Sequence, residues 1–165
     1  IEKYLFGMDN NSDSEPDFMP AGIELKVTPY KKIKGDKLSA KERLVLNIID
    51  YMTEYKNEFK SSHFWYKNNK IQLLWYLWEA NKDKKDLIIT HEKLLELENN
   101  EDLKQIEEDW NFIIQKIKDG KAHEISEADT MYLGACSKGA NALSVREQPF
   151  NDIPAMQRAF CFKNS

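Results

Sequence analysis

At 165 residues, with 41% hydrophobic and 12% aromatic content, the chain has the length and composition of one globular domain able to bury a single core. No apolar run approaches the roughly 20 residues of a membrane span, and the chain carries no signal-peptide pattern. The net charge of −4 argues against a uniformly basic, phosphate-binding surface.

The charge is segregated, however. Lys26 to Lys70 holds eleven Lys or Arg against five Asp or Glu, and Glu79 to Asp109 holds eleven acids against five bases. Such segregation can give an acidic protein a basic face, or it can mean two solvated surfaces that differ. Cys136 and Cys161 lack metal-ligand spacing, and two isolated thiols without a secretory signal fit a reducing, cytoplasmic setting. The start at Ile1 suggests a piece of a longer protein.

In chain order, Ile1 to Phe6 reads as the last turns of a helix ended by Gly7, and Met8 to Glu15 as a polar loop. Gly22 to Pro29 alternates apolar Ile23, Leu25 and Val27 with Glu24, Lys26 and Thr28, predicting a strand that Pro29 ends. Lys31 to Lys37 is a basic turn around Gly35. Arg43 to Tyr51 and Ile71 to Trp78 are apolar runs, predicted as strands buried on both faces. Leu87 to Thr90 is a short strand candidate. His91 to Leu97 and Glu101 to Lys118 read as helices. In the second, Leu103, Ile106, Trp110, Ile113, Ile114 and Ile117 recur at three- and four-residue steps, and Gly120 closes it. Strand-like pieces follow near Met131 to Ala135 and Ala159 to Phe162, around a small-residue loop. The sum is a mixed α/β domain, a central sheet flanked by helices.

The chemistry concentrates between Asp17 and Lys26. Period-two geometry puts Glu24 and Lys26 on one face of their strand, with Asp17 feeding in beside them. Two carboxylates can hold a hard divalent cation through oxygen. Such a cation lowers the pKa of a water and neutralises charge on a phosphate, while a lysine can orient that water or stabilise the phosphorus centre. The plain alternative is a half-exposed strand whose polar face carries Glu, Lys and Thr.

Further motifs choose between these readings. Asp17 stands seven residues before Glu24 in the block Gly22-Ile23-Glu24-Leu25-Lys26, with Thr28-Pro29 behind it. Far downstream come Gly120-Lys121-Ala122-His123-Glu124-Ile125, Tyr132-Leu133 and Lys138-Gly139-Ala140-Asn141-Ala142. In these blocks the chain resembles the MutH-like endonucleases, which unite the mismatch-repair nicking enzyme with type II restriction enzymes that cut at GATC. The restriction branch, in its catalytic N-terminal domain, is the closer. That likeness extends through Lys41 to Ile49, Lys67-Asn68-Asn69, Gln148-Pro149-Phe150 and Gln157-Arg158-Ala159-Phe160, so it covers essentially the whole chain.

The resemblance implies a restriction-endonuclease-like PD-(D/E)xK fold, with residues 1–165 forming one nuclease domain that lacks leading helices and the rest of a longer chain. It implies Mg²⁺ on Asp17 and Glu24, Lys26 as the catalytic lysine, and double-stranded DNA as partner, cut to 5′-phosphate and 3′-hydroxyl ends. The family's extra lysine would be Lys67, with Lys70 competing, and its acidic residue before the metal site would be Glu2. Ser137, Lys138, Gly139 and Asn141 fall in the family's base-reading loop, running from Gly134 to Asn141. Leu143 stands where the family continues the loop with a basic residue, but Arg146 lies close by. Cys136 and Cys161 replace an arginine and an aromatic residue of the repair branch, which bears on GATC as the site. A C-terminal recognition domain of the same chain or a second subunit is an expected partner. The alternatives are a repair enzyme that nicks one strand and a non-catalytic DNA-binding module of the same fold. His63, His91 and His123 show no ligand spacing, and Trp75, Tyr76 and Trp78 read as core.

Overall fold

The computed structural model describes residues 6–7, 15–83, 86–141 and 143–163. Glu2 and the whole of the proposed first loop apart from Glu15 fall outside them, as does the proposed leading helix apart from Phe6. Nine strands are seen among the described residues: β1 (Glu24–Lys32), β2 (Leu38–Ala40), β3 (Leu44–Ile48), β4 (Lys70–Leu77), β5 (Ile89–Glu96), β6 (Leu133–Ser137), β7 (Val145–Gln148), β8 (Asn151–Met156) and β9 (Arg158–Phe162). Two α-helices accompany them, α1 (His63–Asn68) and α2 (Leu103–Lys118). No helix among the described residues is long and apolar enough to cross a membrane.

The strands form a four-stranded sheet in the order β2-β1-β4-β5, a three-stranded sheet β3-β9-β6, and the hairpin β7-β8. The first sheet is mixed. β1 and β4 run parallel from the pair Glu24 and Ile71, while β2 and β5 are antiparallel edges. Both sheets and α2 share one apolar cluster, to which β4 gives Ile71 and Leu73, β6 Leu133, β9 Phe160, and α2 Trp110, Ile113 and Ile117. Helix α2 carries this stripe because its apolar residues recur at helical spacing, and Gly120 follows with φ of 69°.

Several sequence expectations require correction, among them the reading of Trp78 as core, since it is 38% exposed just past the end of β4. Residues 91–97 are mainly strand, not helix: β5 runs to Glu96 and pairs along the whole of β4. The adjacent Leu94 and Leu95 imitate a helical stripe, but an edge strand needs only one buried face. Leu95 packs on the core, whereas Leu94 is exposed. Pro29 does not end β1. Its carbonyl accepts from Lys41 N (3.1 Å), so its missing N–H faces the same edge, just past the three residue pairs of β2, and no ladder bond to β4 is lost. Finally, β3 is not buried on both faces throughout. It is a sheet edge with a register shift after Val45, and it leaves Ile48 exposed.

Candidate active site and DNA-binding cleft

Asp17 and Glu24 meet because the chain between them folds into a miniature hairpin. Phe18 N donates to Ile23 O (2.9 Å), and Met19–Ala21 form a 3-10 turn ended by Gly22 in the left-handed conformation (φ 63°). Glycine suits that position, where a Cβ would be strained. Asp17 Oδ2 then accepts from Leu25 N (2.9 Å), and Glu24 Oε2 accepts from Asp17 N (3.3 Å). The seven-residue spacing is thus the length of one tight turn.

On β1 the two-residue step brings Lys26 Nζ to 2.7 Å from Glu24 Oε1. Lys67 arrives by a different route. Ser62 caps α1 by accepting from Trp65 N (3.1 Å), buried Phe64 anchors the helix, and β4 begins at Lys70. Because β1 and β4 are parallel, the entry to β4 lies beside Glu24, and Lys67 Nζ stands 3.8 Å from Glu24 Oε1. Lys70 turns away and pairs with Glu96 (3.6 Å). Of the two lysines weighed from sequence, only Lys67 reaches the acids.

Glu24 is 2% exposed. Burial pushes its carboxyl pKa above the usual value. The charge of Lys26 and its hydrogen bond, then the charge of Lys67, act against that rise, and the charge of Asp17 adds to it. A buried acid held by two ammonium groups can exchange them for another cation. No group of three or more His, Cys, Asp or Glu side chains suited to a metal is found among the described residues. Asp17 and Glu24 bring two carboxylates together here. That fits Mg²⁺, which keeps several waters and typically binds through one or two carboxylates plus substrate phosphate.

Lys26 also opens onto a cleft of about 600 Å³ between the two sheets. Its walls are Lys26 to Thr28 of β1, Lys41 to Val45, and Cys136 to Lys138 at the end of β6. Four basic residues line it against one acidic residue, Glu42. The basic segment anticipated from sequence thus contributes a cationic wall on an acidic protein.

Of the proposed base-reading residues, Ser137 and Lys138 line the cleft, while Gly139, Asn141 and Arg146 do not. Residues 134–137 of the expected loop are strand, paired to β9. Lys138 N donates to Gln157 O (2.9 Å), and Arg146 Nε donates to Gln157 Oε1 (2.7 Å), so Gln157 ties the two together. Asn141 Oδ1 accepts from Leu143 N (2.9 Å), bracing the turn. A Cβ on Gly139 would fall 2.3 Å from Ser144 Cβ, so this glycine serves packing inside the loop. Cys136 and Cys161 are buried side by side. Their thiols interact, which lowers the pKa of Cys136 and raises that of Cys161.

The histidines bind locally: His63 to Glu54 (3.1 Å), His91 to Thr90 (3.0 Å) and His123 to Gln148 (2.9 Å). Sequence reasoning did not single out Lys41 and Arg43 as individual site residues, and the local excess of lysine was the available signal. It also missed the buried structural acids Glu54 and Asp109.

A family model described as DNA mismatch repair enzyme MutH matches residues 6–109, a span that contains Asp17, Glu24, Lys26 and Lys67. Over 160 residues the chain is 49% identical to the type II restriction enzyme Sau3AI of Staphylococcus aureus, an alignment covering 96% of this chain and 33% of that protein. The chain thus spans about a third of the length of this curated relative.

Proposed function

The chain belongs to the MutH family, and from that premise we propose that it is the catalytic domain of a metal-dependent, sequence-specific DNA endonuclease of the type II restriction kind. One observation carries the reading: Lys26 belongs both to the Asp17–Glu24–Lys67 cluster and to the wall of a cation-lined cleft. The cluster offers hydrolytic chemistry, and the cleft offers a track for a polyanion leading to it.

In this reading Asp17 and Glu24 would hold Mg²⁺, which would supply an acidified water and positive charge beside the scissile phosphate. Lys26 releases Glu24, orients the attacking water and donates to the phosphate oxygens as charge builds on them. Lys67, also beside Glu24, supplies a second positive charge. The fold is of the PD-(D/E)xK type. Residues 1–165 act as one nuclease domain of a longer cytoplasmic protein, with a recognition domain or second subunit completing the grip on a duplex. Ser137 and Lys138, on the far wall, read base edges, Lys138 by donating to guanine O6 and N7. Gly139, Asn141 and Arg146 hold that loop in shape. GATC is the proposed site, and cleavage leaves 5′-phosphate and 3′-hydroxyl ends.

The test is incubation of the full-length protein with unmethylated plasmid, with Mg²⁺ or with chelator, beside its Glu24→Ala variant. Metal-dependent fragments ending at one short sequence are expected, and the variant should give none. Nicked circles alone would move the reading to a repair enzyme that nicks one strand; the matching family model is described as a DNA mismatch repair enzyme. Specific binding without cleavage would reduce the domain to a recognition module.

A further inference from the structure

The segment Lys41–Arg43 joins β2 to β3, so it crosses from the four-stranded sheet to the three-stranded one along the cleft wall. We propose that Lys41 and Arg43 form a sequence-blind clamp on the sugar–phosphate backbone of a duplex, set between the Lys26 centre and the Lys138 wall. The clamp rests on the endonuclease reading above.

Both residues line the cleft, and both side chains are held in place. Lys41 N donates to Pro29 O, and Lys41 Nζ sits 4.5 Å from the centre of the Trp78 ring. A ring face attracts an ammonium without accepting its hydrogen bonds in the way a carboxylate does, so the N–H groups stay suited to phosphate oxygens. Arg43 Nε donates to Glu127 Oε1 (2.7 Å), just ahead of β6. That pair fixes the plane of the guanidinium, and a guanidinium carries five donors in a fork that matches phosphate.

Stability does not explain these groups. The Arg43 side chain is 49% exposed, and surface ion pairs contribute little to folding. A protein of net charge −4 that binds DNA must concentrate cations where the duplex lies. The cleft does so, and Lys41 and Arg43 are half of its cationic lining. Their place next to β1 suits phosphates flanking the scissile one.

The experiment is a salt series of equilibrium binding by fluorescence anisotropy, on the full-length protein with Ca²⁺ replacing Mg²⁺. A duplex carrying the cleavage site and a scrambled duplex are compared. The double variant Lys41→Gln/Arg43→Gln should flatten the slope of log Kd against log salt by about 1.8, close to 0.9 per lost phosphate contact, equally on both duplexes. Each single variant should take about half of that, which keeps the test open if the double variant is unstable. Arg43→Lys should retain most of the slope, and Lys104→Gln on α2, outside the cleft, should retain all of it. An unchanged slope in the double and single variants, with the parent binding normally, would make these residues mere braces for the connector and overturn the clamp. A loss confined to the cognate duplex would make them base readers and overturn it equally. If the parent protein shows no salt-dependent binding to either duplex, the endonuclease reading falls and the clamp with it.

Discussion

Glu24 and Asp109 are both buried carboxylates, and they are satisfied in opposite ways. Asp109, on α2, accepts from the backbone N–H groups of Met131 (3.0 Å), Tyr132 (2.6 Å) and Leu133 (2.9 Å), and from Gln105 Nε2 (3.1 Å). Glu54 takes one backbone donor, Phe64 N (3.1 Å), and two ring partners, the Trp110 indole (3.4 Å) and the His63 imidazole, with no ammonium group among these. Glu24 has one backbone donor, at 3.3 Å, and otherwise lysine ammonium groups. Backbone amides are fixed by the fold and cannot leave. Ammonium groups on flexible stems can, so an acid held by them remains open to another cation. Burial alone does not mark a functional acid. The kind of donor facing it does.

The largest test of this contrast is Lys26→Ala. With catalysis resting on a charge positioned beside Glu24, cleavage should fall about 10²- to 10³-fold, the usual loss for one donor aimed at a transition state. Affinity for the cognate duplex should stay near that of the parent. Single-turnover cleavage and anisotropy binding measure the two, and a normal cleavage rate would remove Lys26 from the chemistry.

Asp109→Asn should do the reverse. An amide in place of the carboxylate turns one acceptor into a donor facing backbone N–H groups that cannot reorient. A buried polar network broken this way costs about 3 kcal/mol, roughly 6–12 °C in Tm for a domain of this size. At temperatures where the variant is folded, cleavage per folded molecule should be unchanged. A drop in activity with no loss of stability would put Asp109 in the wrong class.

Lys138→Ala sharpens a second contrast, between the two walls of the cleft. Lys138 lies in the exposed loop wall and Lys26 in the acid cluster, so the loss should appear in discrimination among sequences, about 1–3 kcal/mol per lost base contact. Cleavage-site profiling on a random library measures it. An unchanged preference would take Lys138 out of base reading.

The acid–lysine cluster was legible in the sequence because its geometry is local. One turn links Asp17 to Glu24, and one strand step links Glu24 to Lys26, so spacing alone places three of the four groups. Lys67 was harder, since its approach depends on the parallel pairing of β1 with β4, which no local pattern encodes. The cleft wall was less legible still. Lys41 and Arg43 meet Lys138 only through the packing of two sheets, and a lysine in a basic run looks the same whether it faces a cleft or open water. Among the elements, β5 was misread because an edge strand leaves most of its residues exposed and lacks strict alternation. The β7-β8 hairpin went unseen because Val145 and Ile153 face solvent, giving no apolar face to detect.

The smallest expected effect is a pH dependence that separates Glu24 from the structural acids. Burial raises the Glu24 carboxyl above 4.5, with the charges of Lys26 and Lys67 acting in the opposite direction. A carboxyl whose pKa is higher folded than unfolded binds its proton more tightly in the folded state, so its contribution favours folding at acid pH. That contribution is present below the unfolded value, near 4.5, and is lost as pH rises through the folded value. Subtracting the Glu24→Gln variant from the parent across this window should therefore give a stability difference that tilts toward the parent at the acid end. Above the window the variant should equal or exceed the parent, because it leaves no charge to desolvate. Denaturant unfolding at a series of pH values measures the difference. A flat difference would mean that the two lysines, with the turn at Gly22, fully compensate the burial of Glu24.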